Sequence, residues 1–230
     1  MQGMDHIDLI AAAWFLACAF GYHALTSIPA IRARSISAAV QHQRVAWMRG
    51  IIHRDRSAGD AILHGALSQG NAFFTSTSAL AMGGLASIVG SGERAQAFLG
   101  GIPFAAHATP LLWELKVLLL ISIFAFAFFK FAWAFRLTHY ATIMIGAMPN
   151  PGTVSDDVAM RQADATATIS GLAAEHSNAG LRSFYFAAAA MTWFLSPVLF
   201  MGATAWVIII LARRDFFSRS RRAIMEAVGV

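Results

Sequence analysis

Ionisable side chains inside long apolar runs are costly in hydrocarbon, which makes them the first candidates for chemistry. The densest such set is Trp113-Glu114-Leu115-Lys116, followed by thirteen uncharged residues and then Lys130. Thirteen residues rise only about 20 Å in a helix, short of the roughly 30 Å of a hydrocarbon core, so both lysines are expected to snorkel outwards. Glu114 falls about 160° around the helix from Lys116, so it needs a partner on another element, with Arg182 and Arg94 as candidates. With Asn71 in the polar start Ser68-Gln69-Gly70-Asn71 of another apolar run, the set Glu114, Lys116, Lys130 and Arg182 would support an ion or proton path.

Metal chemistry is the weaker reading. Neutral imidazoles beside a carboxylate bind divalent ions, which singles out His139, Glu175 and His176. Glu175 and His176 are adjacent, however, and no His-Glu-x-x-His occurs. Cys18 stands alone, so no intrachain disulfide forms. There is no phosphate loop, nucleophile elbow or dinucleotide fingerprint, so no catalytic residue and no cofactor is assigned.

The elements that must hold these residues are membrane helices. Of 230 residues, 57% are hydrophobic and 13% charged, and the mean hydropathy is +0.59. A soluble domain averages about 45–50% apolar and about 25% charged, so a purely soluble protein is excluded, as is a disordered one. Runs at 9–31, 68–92, 111–135 and 183–212 are long enough to span. The expected fold is all-α: one polytopic membrane bundle over 1–230 with about four transmembrane helices and a basic tail at 213–230. No basic residue precedes the first run, so it reads as a retained span and not as a cleaved signal. Small residues recur every fourth position at Ala13, Ala17 and Gly21, and at Thr75, Ala79, Gly83 and Ser87, which suits close helix packing. Pro197 is expected to kink the last span.

Between the first two runs, Ile36, Val40, Trp47 and Ile51 share an arc of about 60°. This predicts an amphipathic helix on the membrane surface, Trp47 at the interface and Arg32, Arg34 and Arg44 toward anionic lipid headgroups. Arg213 and Arg214 are placed likewise at the end of the last span. After the turn Pro149-Asn150-Pro151-Gly152, Ser155 with Asp156 and Asp157 predicts the start of a short surface helix ending near Asn178 or Gly180.

The chain carries 17 Lys and Arg against 12 Asp and Glu, a net +5. Basic residues flank the apolar runs, so the charge reads as orientation and lipid attraction, with no nucleic acid. Four spans separate the first loop from the C-terminal arginines, whereas five would gather eleven basic residues on one side against four. Gly100, Gly101, Pro103 and Pro110 argue against a continuous fifth helix at 95–110, which is expected to be re-entrant or surface-lying. Sidedness stays open.

Gln69-Gly70-Asn71 with the Phe73–Thr77 run, Pro103-Phe104, Trp113-Glu114-Leu115-Lys116, Phe128-Phe129-Lys130-Phe131 and Trp133 form an ordered set. The stretch His176–Phe186, then Trp193-Phe194-Leu195, Pro197 and Ala203-Thr204-Ala205-Trp206 complete it. Together, over about residues 10–217, they resemble the family called domain of unknown function five-nine-nine. The resemblance implies a small multi-pass membrane protein, bacterial in this form, with no activity attached. The expected role is a non-enzymatic inner-membrane protein acting through helix packing, as a homo-oligomer or an accessory subunit. The alternatives are a small transporter or channel, and a metal- or lipid-dependent membrane enzyme.

Overall fold

The computed structural model describes residues 6–54, 58–89 and 109–228, and among these every regular element is a helix. In chain order they are α1 (His6–Ser27), α2 (Pro29–Arg32), α3 (Ile36–Ile51), α4 (Ala58–Ile88), α5 (Pro110–Gly146), α6 (Asp156–Met191), α7 (Pro197–Phe216) and α8 (Arg219–Val228), with a 3-10 turn at Thr192–Phe194. Three segments are long and apolar enough to cross a membrane: His6–Ser27, Pro110–Gly146 and Pro197–Ala227. Of the expected span at 68–92, residues 68–88 lie in α4, whose polar start dilutes its apolar character, and 90–92 lie outside the described residues. The segment expected to be re-entrant lies outside the described residues except for its end. There Thr109 caps α5, its hydroxyl accepting from the Leu112 amide at 3.3 Å, and Pro110 takes the first helical position, where no donor is lost.

Side-chain pairings fix the directions of the long helices. Phe74 stacks on Phe131 with centroids 5.0 Å apart, and His64 meets Thr142, so α4 and α5 run antiparallel. Lys116 meets Trp193 while the Gln162 amide donates to the Ala147 carbonyl, so α5 and α6 are antiparallel too. Phe15 lies 5.1 Å from Phe200 and the Tyr22 hydroxyl bonds Asp215, which sets α1 parallel to α7. The start of α1, the start of α5 and the α6–α7 turn thus share one end of the bundle. The other end holds α2, α3 and α8, where the Arg221 Nε donates to the Arg34 carbonyl at 2.7 Å.

Two expectations about the second half of the chain are corrected. The run 183–212 is not one kinked helix. It is the end of α6 and nearly all of α7, folded back on each other, with Trp193 stacked on Phe200 at 4.9 Å across the turn. The cause is local: a proline disfavours helix in the residue before it. Ser196 accordingly is extended, and its hydroxyl accepts from the Val198 amide at 3.2 Å, so Ser196-Pro197 is a cap and first helical residue rather than a kink. Nor does the helix begun at Asp156 stop near Gly180; α6 continues to Met191.

Helices α5 and α6 hold 37 and 36 residues, about 55 Å each, so a large part of both must project beyond a core of roughly 30 Å. On that projection sits α3. Of its expected apolar arc, Ile51 is buried with Met48, Ile145, Met148, Ala159 and Ala163 in a second small core against which Trp47 packs, while Ile36 and Val40 are half-buried. Gln41 donates to the Ala167 carbonyl at 3.0 Å, and Arg49 grips Asp164 bidentately at 2.7 and 2.9 Å. That hydrogen-bonded guanidinium holds the Asp164 carboxyl below its ordinary value and raises that of Arg49. The pair therefore supports folding above the ordinary Asp range and loses that support as pH falls through the lowered value. Both groups are exposed, so salt screens them.

The membrane-side core is aromatic and tight. Phe131, fully buried, is flanked by Phe74 and Phe184, and its ring lies over Gly180. A Cβ on Gly180 would stand 2.6 Å from that ring, which is why the glycine serves close approach and not helix termination. Gly180→Val is expected to cost about 1–3 kcal/mol by overpacking, read as a lowered thermal midpoint in mild detergent, with Phe131→Leu partly restoring it. A wild-type midpoint for Gly180→Val would remove this role.

Candidate functional site

At the end of the bundle that carries α3, the final turn of α1, the segment from Arg32 to Ser37, the middle of α5 and α6, and the end of α7 line a partly open polar cavity of about 220 Å³. Its charged lining is Arg32, Lys130, Glu175, Arg182 and Asp215, joined by His23 and His176. The charges are not equally committed. Arg32 pairs with Glu175. Asp215 accepts from the Tyr22 hydroxyl at 2.9 Å and from Arg214 at 3.1 Å. Arg182 and Lys130 make no hydrogen bond or ion pair with any described residue, although Lys130 Nζ lies 5.1 Å over the Phe126 ring.

Two further hollows adjoin it. One, about 410 Å³, separates α3 from α6 and shares Arg32, Ser37, Glu175 and Asn178 with the first. Arg44 lines it, and burial pulls its guanidinium below the ordinary value. The other is an apolar cleft of about 420 Å³ between α1 and α5, sharing His23, Lys130, Ala179 and Arg182 with the polar cavity.

The opposite end is closed by an ionic knot. Lys116 does not snorkel: its side chain is 1% exposed, donates to the Trp193 carbonyl at 2.9 Å and lies 3.8 Å from Asp8. Asp8 in turn accepts from the Trp193 indole at 2.7 Å, and the ammonium sits 5.3 Å from that ring. An ammonium taken from water costs several kcal/mol unless charge and donors are met. Here one carboxylate, one carbonyl and one ring face meet them.

The structure thus gathers Lys130, Arg182, Glu175, His176 and Arg32 in one place, while Lys116 is committed elsewhere. Glu114 is half-buried near the closed end, lines none of the three hollows and is not paired with Arg182. Asn71 is buried within α4. His139 is not brought to Glu175 and His176: its Nδ1 lies 2.9 Å from the Phe135 carbonyl, and no group of three metal-binding side chains occurs among the described residues. Trp47 donates to Asp60 at 2.8 Å within the protein, Arg44 to Gln41 at 3.3 Å, Arg34 lends its carbonyl to Arg221, and Arg213 is exposed. Both small-residue ladders point away from the bundle. Ala13, Ala17, Gly21, Ala79, Gly83 and Ser87 are exposed, and a Cβ on Gly21 or Gly83 would touch nothing.

Two members of these sites, and one buried histidine outside them, were missed from sequence. Asp8 carried one signal, an acid in the first turn of an apolar helix. Asp215 was hidden behind Arg213-Arg214. His64, 1% exposed, bridges Thr142 at 2.9 Å and Ser170 at 3.2 Å. Because Thr142 gives its own proton to the Thr138 carbonyl, the hydrogen-bond network assigns Nδ1 of His64 as donor and Nε2 as acceptor from Ser170.

One family model, described as protein of unknown function, DUF599, matches residues 10–220. The chain belongs to that family. The matched region takes in Lys116, Lys130, Arg182 and Asp215 and leaves Asp8 outside. No curated protein and no solved structure matches the chain.

Asp8→Ala is expected to destabilise by about 3–5 kcal/mol because it strands a buried ammonium. The double change Asp8→Asn with Lys116→Met should recover much of that loss. Thermal unfolding of purified protein in mild detergent checks both; a single variant within about 0.5 kcal/mol of wild type would show the knot to be idle.

Proposed function

We propose that this protein is a multi-pass inner-membrane protein that acts without catalysis, through helix packing, as a homo-oligomer or as an accessory subunit of a larger complex. The observation that carries the reading is the outward ladder on α4. Ala79, Gly83 and Ser87 stand exposed, and among the described residues nothing covers them. Lipid offers no hydrophobic drive between helices, so a small-residue face that lets backbones approach is what association in a membrane uses.

In this reading the bundle crosses the membrane five times, α4 and α6 adding legs to α1, α5 and α7. The end of α4 and the start of α5 lie at the same end of the bundle. The C-terminal Arg213, Arg214, Arg219, Arg221 and Arg222 return to the side that holds Arg32, Arg34, Arg44, Arg49 and Arg54. Such a basic side is cytoplasmic by the positive-inside rule. Transport along Glu114, Lys116 and Lys130 is less well supported, since Lys116 is spent on Asp8 and lies about 21 Å along α5 from Lys130.

Native mass spectrometry after gentle solubilisation tests the reading. A dimer, higher oligomer or defined hetero-complex is expected, and Gly83→Leu should abolish it while leaving the unfolding free energy of the single chain within about 0.5 kcal/mol of wild type. A lone monomer under every mild condition would overturn it.

A further inference from the structure

The polar cavity and the apolar cleft meet at His23, Lys130, Ala179 and Arg182. Both cations stand there without an ion pair. The carboxylate that acts on Arg182, Asp215, already accepts from Tyr22 and Arg214, and Glu175 is taken by Arg32. Lys130 leans back over Phe126, toward the cleft. Two cations without an ion pair at the mouth of an apolar groove call for a molecule with an anionic head and an apolar tail.

The dimensions agree. On α5 the cleft runs from Lys130 back to Leu119, eleven residues or about 16 Å, which is one leaflet of a core of roughly 30 Å. On α1 it runs from His23 back to Phe15. It opens sideways, because Leu16, Phe20 and Phe126 along its rim are 45%, 69% and 48% exposed. A tail can therefore enter from the lipid without crossing the polar cavity.

We infer that this junction seats one anionic phospholipid, its phosphate between Lys130 and Arg182 and one acyl chain along the cleft between α1 and α5. The seat rests on the membrane-spanning reading of the bundle and is independent of self-association through α4. His23 adds a ring nitrogen at the junction. The seat lies on the side rich in arginine, where anionic headgroups are already drawn.

The test is native mass spectrometry of the full chain in detergent, titrated separately with dioleoyl phosphatidylglycerol, dioleoyl phosphatidylcholine and free glycerol phosphate. One equivalent of phosphatidylglycerol is expected to be retained per chain, well above phosphatidylcholine. Lys130→Gln with Arg182→Gln should weaken retention roughly thirtyfold, each basic side chain contributing about fivefold at headgroup level. Arg161→Gln, an exposed arginine on α6 that lines none of the three hollows, should not change it. Ala19→Trp fills the cleft without touching either cation and should also displace the lipid, so the seat remains testable if the double variant fails to fold. Equal retention of phosphatidylcholine, wild-type retention by the double variant or by Ala19→Trp, or binding of glycerol phosphate as tight as that of the lipid would each overturn the seat. The same spectra report oligomer size: loss of lipid with the oligomer intact separates this site from the α4 ladder, and Gly83→Leu should do the reverse.

Discussion

The Lys116 ammonium is buried among helices of low charge, and a cation in such a place persists only where its charge and its donors are met. Those partners come from parts of the chain that are far apart: Asp8 from the first turn of α1, and the carbonyl and ring of Trp193 from the α6–α7 turn. Meeting them draws three helix ends together. Once α1 and the α6–α7 turn are pinned to α5, the parallel packing of α1 on α7 follows, with Phe15 and Tyr22 against Phe200 and Asp215. The turn itself needs Ser196-Pro197 to end one helix and begin the next. The knot and the cap therefore work on the same feature from two sides, one electrostatic and one a matter of backbone geometry.

The two ends of the bundle differ in how charge is handled. At the closed end the lysine is satisfied within the protein. At the other end the apolar cleft lies between α1 and α5, and Lys130 and Arg182 line both it and the polar cavity, while a further hollow lies between α3 and α6. The second core around Met48, Met148 and Ala163 holds α3 in place, with Gln41 and Arg49 bonded to α6. Buried charge is thus met within the protein at one end, and the hollows lie at the end where its arginines gather.

Composition made the all-helical membrane class legible, because long uncharged runs leave few other solutions. Ser155 with its following acids correctly marked the start of a helix, and Leu111 that of α5 within one residue. The apolar run at 183–212 concealed a reversal, since a hairpin of two apolar helices and one long span have the same hydropathy. Only Ser196-Pro197 distinguished them, and a proline kink was the competing interpretation. Gly180 looked like a helix stop and is a seat for Phe131, a contact that depends on a neighbouring helix. The arc of α3 was legible, but whether it faces lipid or protein is decided by how far α5 and α6 project. Lys130, Arg182, Glu175 and His176 were each visible as candidates; that they line one hollow required the packing of five parts of the chain. Asp8 as the partner of Lys116 was illegible, because nothing local ties the two together.

The most direct test of this arrangement is thiol labelling in sealed membrane vesicles of known sidedness. Single cysteines replace Leu195 at the α6–α7 turn, Gln43 in α3 and Ser220 in α8, with Cys18 changed to Ser. All three replaced positions are exposed. A membrane-impermeant maleimide is predicted to reach Leu195→Cys from one side only, and Gln43→Cys and Ser220→Cys from the other side only. Labelling of Gln43→Cys and Ser220→Cys from opposite sides, with Leu195→Cys protected from both, would mean that 183–212 crosses once as a single span and would contradict the hairpin.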